Sequence, residues 1–335
     1  MTPSPSPGCL RCRPGAMLLS LLGSALGVAT GASEECTSSV QRLSQPPLSA
    51  EFRELWRRDG AMLFQAQSSA NRVQDALSTI SGYMGILHLT LTSTARVNKS
   101  ISCNAKNWTG GVSPLRIQHK THHQLAPADD TVQGPHMEGS SLTRGNRRAV
   151  AFFCEEPSIK GGATALFDMQ RAWEVLPGDL QELLRRSSFG WHMLSGGVIE
   201  VPCVVKHEVT GAPCLQFYCF GRLSRDCVDV YRSKTGRFNV KPEHYLHQVD
   251  PQKDLLLISE DGERRPFIGV DLYYLLDSIY SAMMEVSWTQ GDVLLLDNVR
   301  WAHARLEGQG AGRKVHFVTY GPADGNFSLA RFARP

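Results

Sequence analysis

His136 and Glu138 flank Met137 in the run PHME, and His303 stands far downstream in DNVRWAHAR. In extended backbone, residues i and i+2 project to the same face, so His136 and Glu138 can reach one point from a single strand edge. A third donor from a distant strand would complete one face of an octahedron. Two imidazoles and one carboxylate with the other positions open suit non-haem Fe(II), which must also bind a cosubstrate and oxygen. An isolated His-x-Glu is a common tripeptide, and a solvated surface pair is its ordinary explanation. The surroundings change that balance. His303 follows the apolar run GDVLLLDN, and Arg313 opens another, RKVHFVTYG. An inward arginine makes bidentate, charge-assisted bonds to a carboxylate, each worth roughly 1.5–3 kcal/mol, enough to anchor a dicarboxylate. The alternative for Arg313 is a strand-end surface cation.

The rest of the chain must position these groups. Its 335 residues are 42% hydrophobic and 20% charged, a globular balance that excludes global disorder, collagen and coiled coil. Basic residues number 35 and acidic ones 32, so the formal charge is only +3 and nucleic acid is not the expected partner. The nine cysteines are odd in number and scattered, which does not make a disulfide framework, and Cys9-x-x-Cys12 has no second pair with which to hold zinc. Residues 1–33 read as a leader. Arg11 and Arg13 precede an apolar, small-residue stretch over 16–32, and the first acid is Glu34. This pattern resembles a secretory signal, while the lack of acids also fits a mitochondrial presequence. Cytoplasmic or mitochondrial residence therefore stands beside secretion, towards which the sequons at Asn98, Asn107 and Asn326 lean. The stretch is short for a membrane span and is broken by Gly23, Gly27 and Gly31, and no later segment reads as transmembrane. Residues 34–335 are expected to form a single domain.

Phe52, Leu55 and Trp56 lie at i, i+3 and i+4, marking a helix over 49–58 with Ser49 as its cap and Asp59-Gly60 as its stop. A strand over 61–66 and a helix over 70–84 follow. Residues 104–135 are polar and aperiodic, as expected of a long loop. Strands are expected at 149–156 and 163–168 around a turn at 159–162, and two short helices within 169–186 split at Pro177-Gly178. Further strands fall at 198–205, 213–220, 291–298 and 313–321, with a helix at 270–286. Many strands with few helices outside them indicate a mainly β sandwich or barrel with flanking helices, not alternating βαβ units. The chain has no GxGxxG or P-loop in strand–turn–helix context and no GxSxG, so Rossmann dehydrogenases, P-loop ATPases and elbow-type serine hydrolases are not expected. His119, His122 and His123 have no nearby cysteine to complete a zinc tetrahedron and read as polar loop. Trp191-His192 suits a core or a substrate wall, and Arg305 a substrate anion or solvent. Asp297 and Asn298 suit loop-fixing hydrogen bonds.

Taken in order, LSQPPLSAEFRELWRRDGAMLF, PHMEGSS, AVAFFCEEPSIKGGATALFDM, HEVTGAPCLQF and WTQGDVLLLDNVRWAHAR followed by GRKVHF carry a resemblance over roughly residues 45–320. The chain resembles the TauD/TfdA family of Fe(II)- and 2-oxoglutarate-dependent dioxygenases, in particular the syringomycin-biosynthesis aspartyl hydroxylase type. The resemblance implies a double-stranded β-helix, or jelly roll. It assigns His136, Glu138 and His303 as iron ligands, Arg313 as the partner of the 2-oxoglutarate carboxylate, and Thr164 of GGATALFD as a residue that helps hold it. It implies Fe(II) as cofactor, 2-oxoglutarate as cosubstrate, and O2 and a small or amino-acid-like molecule as the other reactants. Succinate and CO2 would leave and a C–H bond would be hydroxylated. Halogenating relatives need a small residue at the position of Glu138, so hydroxylation is expected. The residues alone leave two alternatives open: a zinc-dependent hydrolase using the same His/Glu/His, and a jelly-roll binding protein without turnover. Segment 222–248 has no counterpart in the resemblance, and LEGQGAG before Arg313 is looser than the family's run.

Overall fold

Side chains alternate along Ala149–Glu156, and both faces are buried. Ala149, Ala151 and Phe153 point one way, and Val150, Phe152 and Cys154 the other. A strand buried on both faces must be internal to a layered fold. In the computed structural model, which describes residues 40–66, 72–91, 123–124, 132–138, 148–192, 198–217, 224–240, 255–309 and 313–322, it lies between antiparallel Asp292–Asp297 and Lys314–Pro322. The sheet runs Arg42–Leu43, Ala61–Gln65, Asp292–Asp297, Ala149–Glu156, Lys314–Pro322 and Leu89–Leu91, with His123–Gln124 also on Lys314–Pro322. Its outer face carries the helices Ser49–Asp59 and Arg72–Ile86, whose Phe52, Trp56, Ile80 and Met84 meet Phe64, Phe153 and Val318. Each fully buried apolar side chain of this kind contributes roughly 1.5–3 kcal/mol.

The inner face packs on a second antiparallel sheet of three strands, Met283–Val286, Thr164–Asp168 and Trp301–Arg305. Leu166 and Trp301 from this sheet join Leu63, Val150, Phe152, Leu294 and Val315 between the layers. Its opposite face, Ala165, Phe167, Ala302 and Ala304, belongs to a different core shared with the helices Met169–Glu174, Gly178–Arg185, Ser224–Thr235 and Gly269–Ser281. Two antiparallel sheets face to face with helices outside give the jelly-roll arrangement. A sheet of Arg264–Pro266, Leu256–Ile258, Ser188–His192 and Val198–Pro202 and the hairpin Val204–Lys206 with Pro213–Leu215 flank it. All of these strands lie in the unit Ser39–Pro335.

The elements differ from expectation at a few places. Ser49 is the first helical residue and Leu48 is the N-cap, with no side-chain cap bond, so the helix start relies on burying Phe52 and Trp56. Gly60 stops that helix at φ 63°, and a Cβ there would come within 3.2 Å of the Asp297 Cβ. The expected helix over 270–286 ends at Ser281, and Met283–Val286 is instead a strand on Thr164–Phe167. The open edge of that strand needs backbone partners, and this outweighs the helix propensity of the methionines. His303 lies within a strand, not just beyond one. Trp191 packs in the large core. Part of the unmatched 222–248 segment is the helix Ser224–Thr235, whose Tyr231 donates to Glu307 at 2.8 Å. Cys154, Cys203, Cys214 and Cys227 are buried free thiols. The leader, most of the 104–135 loop and the side chains of the His119, His122 and His123 cluster lie outside the described residues.

Candidate active site

The period of two along Trp301–Arg305 builds the site. Ala302 and Ala304 face the helices, which sends His303 and Arg305 into the space between the sheets. The Phe152 ring from the large sheet lies against the His303 ring edge-on, with centroids 5.0 Å apart. Segment 132–138 runs antiparallel beside the same strand. The backbone N–H of His136 donates to the His303 carbonyl at 3.0 Å and the His303 N–H returns the bond at 2.9 Å. Gln133 N–H donates to the Arg305 carbonyl and Met137 N–H to that of Phe217. Two residues distant in sequence are thus backbone partners, and their rings lie 4.5 Å apart.

Glu138 completes the cluster. Its Oε1 is 3.7 Å from His136 Nε2 and 3.6 Å from His303 Nε2, and one ligand atom from each residue lies within 4.8 Å of the others. His136 Nδ1 lies 3.0 Å from the Gly134 carbonyl, an acceptor that requires the proton on Nδ1 and leaves the Nε2 lone pair facing the cluster. Burial, and then the neighbouring His136, push the His303 pKa down. Burial alone would raise the Glu138 carboxyl, but the two imidazoles outweigh it and hold it well below the usual carboxylate range. Two imidazole nitrogens and one carboxylate oxygen therefore converge in a largely buried place, a donor set that fits a divalent cation.

Further side chains hold this set in place. Asn298 accepts from the Glu138 N–H at 3.0 Å and donates to the Glu138 carbonyl at 2.9 Å, clasping the ligand's backbone from both sides. The adjacent Asp297 is fully buried. Its carboxylate takes bonds from Arg148, from the Val299 N–H at 3.0 Å and from His207 Nε2 at 3.0 Å. His207 Nδ1 accepts from the Thr210 N–H at 3.1 Å, so the ring proton sits on Nε2 and faces Asp297. Sequence reading found Asp297 and Asn298 but not His207 or Arg148, because no local pattern announces a partner so far along the chain.

Thr164 lies on the same inner side. Thr164 is the cross-strand partner of Arg305, and Leu166 that of His303, so all four share a face. Thr164 is 3% exposed and its hydroxyl accepts from Trp288 Nε1 at 2.9 Å. Arg313 and Arg305 are 1% and 4% exposed, which removes the strand-end surface reading of Arg313 and the solvated reading of Arg305. Burial, and then the nearby Arg305, push the Arg313 pKa down to about 10, so it stays a cation at neutral pH. Trp288 had no signal of its own in the sequence beyond its place in WTQGD.

The chain matches the taurine catabolism dioxygenase TauD, TfdA family over residues 25–320, and it belongs to that family. This makes it an enzyme of the dioxygenase class. No curated protein matches the sequence. Among solved structures, PvcB from Pseudomonas aeruginosa is 15% identical, with TM-score 0.50, covering 81% of this chain and 79% of its own, and it supports the jelly-roll fold. A second PvcB structure, of an Fe, alpha-ketoglutarate dependent oxygenase from an isonitrile synthetic pathway, is 15% identical over 82% and 81% of the two chains, with TM-score 0.49. A taurine dioxygenase from Burkholderia xenovorans is 15% identical over 84% and 86%, with TM-score 0.49.

Proposed function

We propose that this protein is an Fe(II)- and 2-oxoglutarate-dependent hydroxylase acting on a small or amino-acid-like substrate. The observation that carries the reading is the convergence of His136, Glu138 and His303 on one point. These residues would hold iron, leaving its other positions for cosubstrate and oxygen. Bound iron and 2-oxoglutarate supply the oxidative chemistry, releasing succinate and CO2 while a C–H bond gains oxygen. The chain's own groups bind and orient. Arg313 takes the distal carboxylate of 2-oxoglutarate through charge-assisted bonds, and the Thr164 hydroxyl donates to the same group. Phe152 walls the His303 side with an apolar ring. Glu138 fills the position that halogenating relatives leave small, which favours hydroxylation. The amino-acid-like substrate class rests on the resemblance to the aspartyl hydroxylase branch.

Anaerobic addition of Fe(II) and 2-oxoglutarate should give a metal-to-ligand charge-transfer band, and aerobic incubation with substrate should release succinate. His136→Ala and Glu138→Ala should each abolish 2-oxoglutarate turnover, while Arg313→Ala should chiefly raise the 2-oxoglutarate concentration required. Normal turnover in His136→Ala would sink the metal assignment. Activity without oxygen or 2-oxoglutarate would mark a zinc-dependent hydrolase, and no turnover with an intact charge-transfer band a binding protein.

A further inference from the structure

We infer that Trp288 is a positioning residue for the cosubstrate, acting through Thr164; this rests on the assignment of Thr164 to the 2-oxoglutarate carboxylate. An indole N–H can only donate, and a threonine hydroxyl has one proton and two lone pairs. The 2.9 Å bond between Trp288 Nε1 and Thr164 Oγ1 therefore has one possible direction, and it occupies a lone pair of the hydroxyl, not its proton. Thr164 is 3% exposed, and among the described residues its hydroxyl makes no second hydrogen bond. A buried hydroxyl is left with an unspent donor on the face shared with His303 and Arg305. A carboxylate satisfies such a donor, and a second backbone or side-chain donor would not. Trp288 is itself held by the aromatic wall of the site, with its ring 6.3 Å from Phe152, the ring that packs on His303. The indole thus turns the Thr164 proton away from itself and towards the slot before any ligand arrives, which reduces the ordering cost of binding.

The test is calorimetric titration of the full-length protein loaded with redox-silent Mn(II). Trp288→Phe keeps the ring and removes the donor. It should weaken 2-oxoglutarate about threefold, the cost of ordering one hydroxyl on binding. Mn(II) affinity should not change, nor should the binding of 2-oxobutyrate, which keeps the 2-oxo acid but lacks the distal carboxylate. Thr164→Val should weaken 2-oxoglutarate at least as much, and adding Trp288→Phe to it should cost little more, because the indole acts only through that hydroxyl. Should Trp288→Phe not fold, benzothienylalanine installed at position 288 removes the N–H with almost no change of shape, and the same pattern is expected. Wild-type 2-oxoglutarate affinity in the Trp288 variant overturns the inference. A loss shared equally by 2-oxobutyrate overturns it too, since that marks general loosening of the pocket. Undiminished 2-oxoglutarate affinity in Thr164→Val instead overturns the assignment of Thr164, and the role of Trp288 falls with it.

Discussion

At the scale of the residue, the cluster is held by its hydrogen bonds as much as by its donors. Groups behind a metal ligand set its orientation, and losing one typically lowers metal affinity about ten- to a hundredfold. The Asn298 amide holds both backbone polar groups of Glu138. Asn298→Ala should therefore weaken Mn(II) binding by about that factor with the three ligands intact. Asn298→Asp should not restore it, because a carboxylate keeps the acceptor but opposes the Glu138 carbonyl. Competition titration against a fluorescent chelator reads both. The cysteines offer a second check. Burial pushes the Cys154 and Cys214 thiols up to about 12, so both stay protonated and unreactive at neutral pH. Iodoacetamide at pH 7.5 should leave these two unlabelled in the native protein and label them after denaturation, as peptide mapping would show.

At the scale of the element, strand periodicity positions the chemistry, and glycines allow the strands to meet. Gly161 has φ 63°, and a Cβ there would lie 2.6 Å from the Glu307 carbonyl oxygen, in the contact between Lys160–Gly161 and Gly308–Gln309. That contact closes the far end of the two strands that carry Thr164 and His303. Gly161→Ala should cost about 1–3 kcal/mol from its backbone conformation, with the clash in addition. Its urea midpoint should fall while the urea slope stays the same. Strand boundaries were legible where the pattern was strong, as at Ala149–Glu156, which the sequence reading placed to the residue. Met283–Val286 was not legible, because its apolar side chains continue the helical pattern and only the bare edge of Thr164–Asp168 makes it a strand. The Ser49 cap failed for a related reason: packing set the helix start where a capping bond was expected.

At the scale of the whole molecule, the buried group formed by Arg148, His207 and Asp297 ties the strand Asp292–Asp297 to the hairpin turn at 207–211 and to the start of Ala149–Glu156. Burial raises the Asp297 carboxyl, but Arg148 and His207 outweigh it, and the pKa falls below its ordinary value. A carboxyl depressed on folding adds stability above its unfolded pKa of roughly 3.9, and that stability is lost as the pH falls through the folded value. Asp297→Asn should be less stable than the parent at pH 7 by about 3–5 kcal/mol, since it leaves Arg148 buried without its anion. The difference should begin to shrink below about pH 4, where the unfolded chain's carboxyl takes up its proton, and should shrink further as the pH falls through the lower folded value. Urea midpoints at pH 7 and pH 3 test the sign. A gap that persists unchanged at pH 3 would remove the electrostatic account.

Donor chemistry and local periodicity belong to the sequence, and from them came the two imidazoles and one carboxylate, the buried strands, the absence of nucleotide-binding motifs and the family resemblance. These features were legible because a residue's ligand atoms and the two-residue repeat of a strand are properties of short segments. Which side chains meet was decided by the tertiary structure. The backbone pairing of His136 with His303, the tautomer set by Gly134, the ionised state of Glu138, the Asp297 cluster and the bond from Trp288 to Thr164 all join groups through space. Charge, protonation and hydrogen-bond direction depend on neighbours, and neighbours in a jelly roll come from strands far apart along the chain.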